Sequence, residues 1–180
     1  MEPVEINAGL YYLRQLRADR HIDDRPALVD AFADAETQLY RTARIPDVTV
    51  ADRYLETRAE QWRNDQRYSW AVAEQTTGEL LAEVDLTDLR PDHRYAELTC
   101  WTHPEHRGRG ILGAAIPAVL RFAYGGLELH HVSYRHAASN VASRRVAEKC
   151  GFILDGRMRE AFVVDGTPED MLIWSRLSTD

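Results

Sequence analysis

Apolar and polar positions change period along this chain in an order that predicts a mixed α and β fold. Leu10 to Leu16 (LYYLRQL) alternates as a first or edge strand, and the stretch from about Arg25 to Leu39 reads as a helix. Asp23 or Asp24 stands where a helix cap belongs, and Pro26 falls at an early helical position where its missing N–H costs nothing. The polar segment Arg41 to Asp47 contains a proline and reads as a loop. It leads into a second helix, Thr49 to Asn64, with Val50, Tyr54, Ala59 and Trp62 roughly on one side. These early helices suit a wall over a pocket.

Three strands follow at Tyr68 to Glu74, Leu80 to Leu86 and Tyr95 to Trp101. The first two are separated by TTGE, a hairpin turn in which Gly78 supplies the left-handed backbone, and DLRPDH before the third reads as a loop. After an Arg-Gly turn the pattern gives a helix from about Gly110 to Tyr124, a strand at His131 to Arg135, and a helix at Val141 to Lys149 closed by Gly151. Two last strands lie near Phe152 to Val163 and Asp170 to Leu177. The order predicts an α+β (α/β) fold: one sheet of six or seven strands with about four helices, in a single domain spanning residues 1–180.

Composition narrows the function classes. A formal net charge of -7 argues against a nucleic-acid partner, which needs a basic face, and suits a cationic substrate only weakly. No apolar run is long enough to span a bilayer, and MEPVEINAG lacks the layout of a signal peptide, so the expected location is the cytoplasm. Cys100 and Cys150 read as reduced thiols. Lys149 is the only lysine among 22 basic residues.

Chemistry concentrates between residues 97 and 152. A strand, ELTCW, feeds Arg107-Gly108-Arg109-Gly110 into an apolar-striped helix. Unpaired N–H groups of about residues 108 to 113 then either face a diphosphate or simply close a turn. The spacing matches neither a nucleotide P-loop nor a dinucleotide fingerprint. His103 and His106 lack a third partner at metal spacing, so no metal is expected.

The segments HPEHRGRG, SNVASRRVAEKCGF and DGRMREAFVVDG resemble the GCN5-related N-acetyltransferase (GNAT) superfamily, and most closely its ribosomal-protein N-terminal acetyltransferase (Rim-type) branch. The resemblance implies a sheet with two splayed central parallel strands and an acyl-CoA, normally acetyl-CoA, lying between them. Its Arg/Gln-x-x-Gly-x-Gly/Ala motif falls on Arg107, Gly110 and Leu112, with the bulky Leu112 departing from it and Gly113 beside it. By the same resemblance Arg107, Gly108, Arg109, Gly110, Ile111, Leu112 and Gly113 hold the diphosphate. Backbone near Cys100, Trp101 and Thr102 meets the pantetheine arm, although core packing also accounts for Cys100 and Trp101.

Glu97 is the candidate general base, against the alternative of an ion-paired carboxylate; Ser143 is the candidate donor to the leaving sulfur. Asn140, which equally suits a helix cap, is the candidate for the pantetheine amide, and Arg144 or Arg145 for the 3′-phosphate. Lys149 reads as serving its helix end, no tyrosine stands at the family's usual acid position, and Pro117 should kink its helix. The implied reaction is acyl transfer to a primary amine on a protein N-terminus, a metabolite or an antibiotic. An α-amine of pKa near 8 is already roughly one-fifth neutral at pH 7.4. Another donor such as succinyl-CoA, a non-catalytic acyl-CoA sensor and a homodimer remain open.

Overall fold

In chain order the computed structural model, which describes Met1–Asp180, contains β1 (Ile6–Ala8), β2 (Tyr11–Arg14), α1 (Arg25–Ala33), α2 (Ala35–Tyr40), α3 (Val48–Arg63), β3 (Tyr68–Glu74) and β4 (Leu80–Arg90). Next come β5 (Tyr95–Thr102), α4 (Ile111–Gly125), β6 (His131–Ala137), α5 (Val141–Lys149), β7 (Ile153–Val164) and β8 (Thr167–Leu177). All eight strands form one sheet in the order β1-β2-β3-β4-β5-β6-β8-β7. Every neighbouring pair is antiparallel except β5 and β6. No helix is long and apolar enough to cross a membrane.

Period-2 alternation builds a core on each face of the sheet. Val72, Val84, Leu86, Leu98 and Val132 pack with Ile116 and Val119 of α4 in the larger cluster. Ala71, Leu80 and Trp101 pack with Leu28 and Phe32 of α1 and with Ala51 and Leu55 of α3 in the smaller one. That second face also buries Glu83 and Asp85 completely. Glu83 accepts from Tyr54 Oη and Trp101 Nε1, each at 2.9 Å, and from Arg58 Nε at 3.3 Å. Asp85 accepts from Arg67 at 2.7 Å and Thr99 at 3.0 Å. Burial and then the Asp85 charge push the Glu83 carboxyl up; at Asp85 burial acts in the same sense, but the Arg67 guanidinium, a hydrogen bond from Glu83 and the charge of Arg58 together hold the carboxyl down.

Four details differ from the sequence expectations. The helix expected over residues 25–39 breaks at Asp34, whose backbone is extended (ψ 131°) and whose carboxylate accepts the Thr37 N–H at 2.8 Å, starting α2 afresh. Asp24 occupies the cap position of α1 without capping it, because its carboxylate grips Arg14 at 2.7 and 2.8 Å. The eighth strand is β1, which folds back on β2 around Gly9 at φ +76°. DLRPDH is only half loop: β4 continues to Arg90, leaving Pro91–His93 as one tight 3₁₀ turn. Gly78 does take the left-handed conformation expected of it, at φ +74°.

The feature that creates a site is the β5–β6 pair. Its register runs only from Tyr95↔His131 to Leu98↔Tyr134, while β5 continues to Thr102 and β6 to Ala137. Beyond Leu98 the two parallel strands therefore part.

Candidate functional site

A cavity of about 470 Å³ fills the gap where β5 and β6 part. Cys100, Trp101 and Thr102 of β5 line it, as do Tyr134 of β6 and Asn140, Ser143, Arg145 and Lys149 around α5. Arg107, Gly108, Gly110, Ile111, Leu112 and Gly113 form its far wall, and Thr37, Tyr40 and Arg41 close it from α2 and the loop after it. Of the residues expected at the acyl-CoA, Arg109 and the alternative Arg144 are absent from the lining; Arg109 is exposed and donates to the Glu105 carbonyl at 3.0 Å.

The strand edge toward the gap carries free backbone groups. His103 N–H donates to the Leu81 carbonyl at 2.9 Å, which fixes the alternation of the β4–β5 ladder. By that alternation Trp101 faces β4, while the N–H groups of Cys100 and Thr102 face the gap. The Cys100 carbonyl, on the same side, accepts from the Arg41 guanidinium.

At the far wall Gly108 (φ +76°) and Gly110 (φ +75°) both take left-handed conformations that other residues adopt only at a cost. Gly110 is the cap residue of α4, and no side chain bonds to the N–H groups of its first turn. Lys149 lies over this turn: a Cβ built on Gly113 would stand 3.1 Å from its Cε, and one on Gly110 3.5 Å from its Nζ. The only lysine of the chain thus sits at the positive end of α4 as well as at the last turn of α5. Leu112 packs against the larger core, and α4 runs through Pro117 without interruption. Arg107 is held by Asp34 at 2.6 Å and Glu36 at 2.9 Å.

At the opposite end the Tyr134 hydroxyl lies 3.5 Å from Cys100 Sγ, with Ser143 in the same lining. Burial, then the neighbouring Cys100, pushes the Tyr134 phenol well above its ordinary value, against an opposing hydrogen bond from Ser143. The phenol is therefore a proton carrier at neutral pH. Burial likewise raises the Cys100 thiol, which argues against a thiolate nucleophile there. Asn140 caps α5 by accepting the Ser143 N–H at 2.9 Å, which engages its carbonyl oxygen and leaves its amide nitrogen.

Glu97 does not line this cavity. Its neighbours Ala96 and Leu98 belong to the larger core, so its own side chain lies on the other face of β5, where it pairs with Arg135. Arg144 is drawn into an ion pair with Glu148 at 3.0 Å, whereas Arg145 lines the cavity. Sequence reasoning missed Tyr134, Arg41 and the place of Lys149. For Tyr134 a signal existed: alternation with Val132 puts it on the core face of β6, and the structure places it in the last pair of the short parallel register. Arg41 carried no such signal, because its reach into the gap depends on where α2 ends.

Residues 12–153 match the family model described as an acetyltransferase (GNAT) domain. Over 132 residues the chain is 31% identical to YdaF of Bacillus subtilis, provisionally named a ribosomal N-acetyltransferase, covering 72% of each protein. Over 100 residues it is 30% identical to the spermidine N(1)-acetyltransferase of Vibrio cholerae, covering 56% of this chain and 58% of that protein. The fold superposes on RimL, a ribosomal L7/L12 α-N-protein acetyltransferase solved with coenzyme A, with a TM-score of 0.85 at 18% identity, covering 97% of this chain and 98% of that one.

Proposed function

The chain belongs to the GNAT family of acetyltransferases, and from that premise we propose that residues 1–180 form one domain that transfers an acetyl group from acetyl-CoA to a primary amine by direct attack. The observation that carries this reading is the cavity between the parting strands, with an uncapped helix start at one end and a buried phenol at the other.

Each group has work suited to its chemistry. The N–H groups opening α4, with Lys149, Arg107 and Arg145, provide a polar, cationic end matched to the phosphates of coenzyme A. Cys100 and Thr102 offer N–H donors to the pantetheine arm and the thioester carbonyl, and the Asn140 amide nitrogen offers another. Tyr134 and Ser143 are the two hydroxyls that can protonate the departing sulfur. Glu97 lies across the splay from the cavity, so an amine arriving on that face meets a carboxylate able to take its proton through water. The Arg135 pair holds that carboxylate in place rather than removing it from use.

The acceptor is proposed to be an α-amino group of a protein or a polyamine, in line with the names carried by the relatives. An α-amine needs little help to lose its proton near neutrality, which suits a base acting at one remove. Titration calorimetry with acetyl-CoA and free CoA, followed by thiol release with a panel of N-terminal peptides and polyamines, tests the reading. Binding with amine-dependent release is expected. Binding without release across the panel favours an acyl-CoA sensor, and no binding sinks the cavity as a CoA site.

A further inference from the structure

The cations of the cavity form two groups. Arg107, Arg145 and Lys149 share its lining with the glycine turn and the start of α4, where the phosphates of coenzyme A are proposed to lie. Arg41 stands apart, donating to the Cys100 carbonyl in the strand gap. Its charge also acts on the Cys100 thiol and the Tyr134 phenol, opposing the upward push of burial on both, so it lies at the reactive end.

No carboxylate answers this charge. Arg41 is absent from every ion pair of the molecule. Glu36 is the one acidic residue lining the cavity, and it is bound to Arg107 at 2.9 Å. The Arg41 side chain is half-buried, and its backbone is fixed by an N–H bond to the Thr37 carbonyl at 3.0 Å. The guanidinium has five N–H donors, so the bond to Cys100 leaves others for a ligand.

The part of an acyl-CoA that reaches this end, pantetheine and thioester, carries no charge. Arg41 holds the carbonyl of Cys100, the residue whose N–H is proposed to meet the thioester, so the acyl chain is the part placed to carry an anion to it. Resting on the transferase reading above, we infer that the site also accepts acyl-CoA donors whose chain ends in a carboxylate, with Arg41 as the residue that selects them over neutral chains of equal length. In the transfer the amine nitrogen forms the new C–N bond, the C–S bond breaks with its electron pair on sulfur, and the amine proton ends on the thiol. The distal carboxylate takes no part beyond binding Arg41.

The test compares succinyl-CoA with butyryl-CoA, four-carbon chains that differ by a carboxylate in place of a methyl group. Dissociation constants from calorimetry need no acceptor, and kcat/KM by thiol release follows with whichever amine is active. The wild-type protein should favour succinyl-CoA. Arg41→Gln should cut that preference roughly 10- to 100-fold, the range for losing a charge-assisted hydrogen bond, and Arg41→Lys should keep part of it. A wild-type preference at or below one overturns the inference without any variant, so a failure of Arg41→Gln to fold leaves it testable. An equal loss for both donors in Arg41→Gln also overturns it, showing that Arg41 acts on the shared thioester or on the strand. Binding of neither donor would instead bring down the transferase reading itself, whereas acetyl-CoA turnover without a succinyl preference removes only the role of Arg41.

Discussion

Tyr134 and Ser143 reach the reactive end from different elements, β6 and α5, yet answer the same chemical need. A thiolate leaving a thioester gains from a proton in the transition state, and a positioned general acid contributes about 10²- to 10⁴-fold. The buried phenol is held protonated, so Tyr134→Phe should lower kcat by roughly 10²-fold or more in single-turnover thiol release. Ser143→Ala should cost less if its hydroxyl mainly supports the phenol, and the double variant should then lose little beyond Tyr134→Phe. Additive losses would instead mean that each hydroxyl reaches the sulfur on its own. A Tyr134→Phe enzyme with full kcat would remove the phenol from the mechanism. The serine was legible from its place in Asn-x-x-Ser; of the tyrosine only its core-facing side was, because the β5–β6 register alone brings residue 134 beside residue 100.

At the scale of elements, the turn from β5 into α4 was legible because its requirements are local. Glycines at positive φ and a helix start without a capping side chain can both be read from Arg-Gly-Arg-Gly followed by an apolar stripe. The break between α1 and α2 was not, since the pattern over residues 25–39 continues in register and only the Asp34 carboxylate decides it. That carboxylate serves Thr37 and Arg107 together, and the second partner lies 73 residues away. Pro117 does not end α4, whose turns on either side of it are held by core packing of Ala115, Ile116 and Val119. The glycine turn yields a direct expectation. Gly110→Ala forces an alanine into the left-handed region, which costs about 1 to 2 kcal/mol and should appear as a lower urea midpoint with unchanged slope. It should also weaken acetyl-CoA binding, because relief of the strain moves the first N–H groups of α4. Full affinity in a destabilised Gly110→Ala protein would show that these N–H groups do not hold the diphosphate.

For the whole molecule, the sheet is two antiparallel halves, β1 to β5 and β6-β8-β7, whose strands join over only four register pairs. Side chains reinforce the seam on the face away from the cavity, where Tyr95 and Ser133 hydroxyls meet at 2.6 Å and Glu97 pairs with Arg135. Beyond Leu98 the two halves share no ladder bonds, so a ligand bound in the gap supplies contacts that the strands lack. Ligand linkage then makes acetyl-CoA a stabiliser of the whole fold, by about 2.7 kcal/mol at one hundred times its dissociation constant. The gain should be spatially uneven: amide exchange should slow most at Cys100 and Thr102 of β5 and at the start of α4, where donors now face the gap or open a helix. Lys149 gives a second reading of the same event. Because it is the only lysine, an amine-directed reagent can modify only Lys149 and the chain terminus, and acetyl-CoA should protect Lys149 while leaving Met1 reactive. Stabilisation with Lys149 still fully reactive would place the ligand away from the α4 cradle, and protection of neither backbone segment would mean that the gap between the halves is not where it binds.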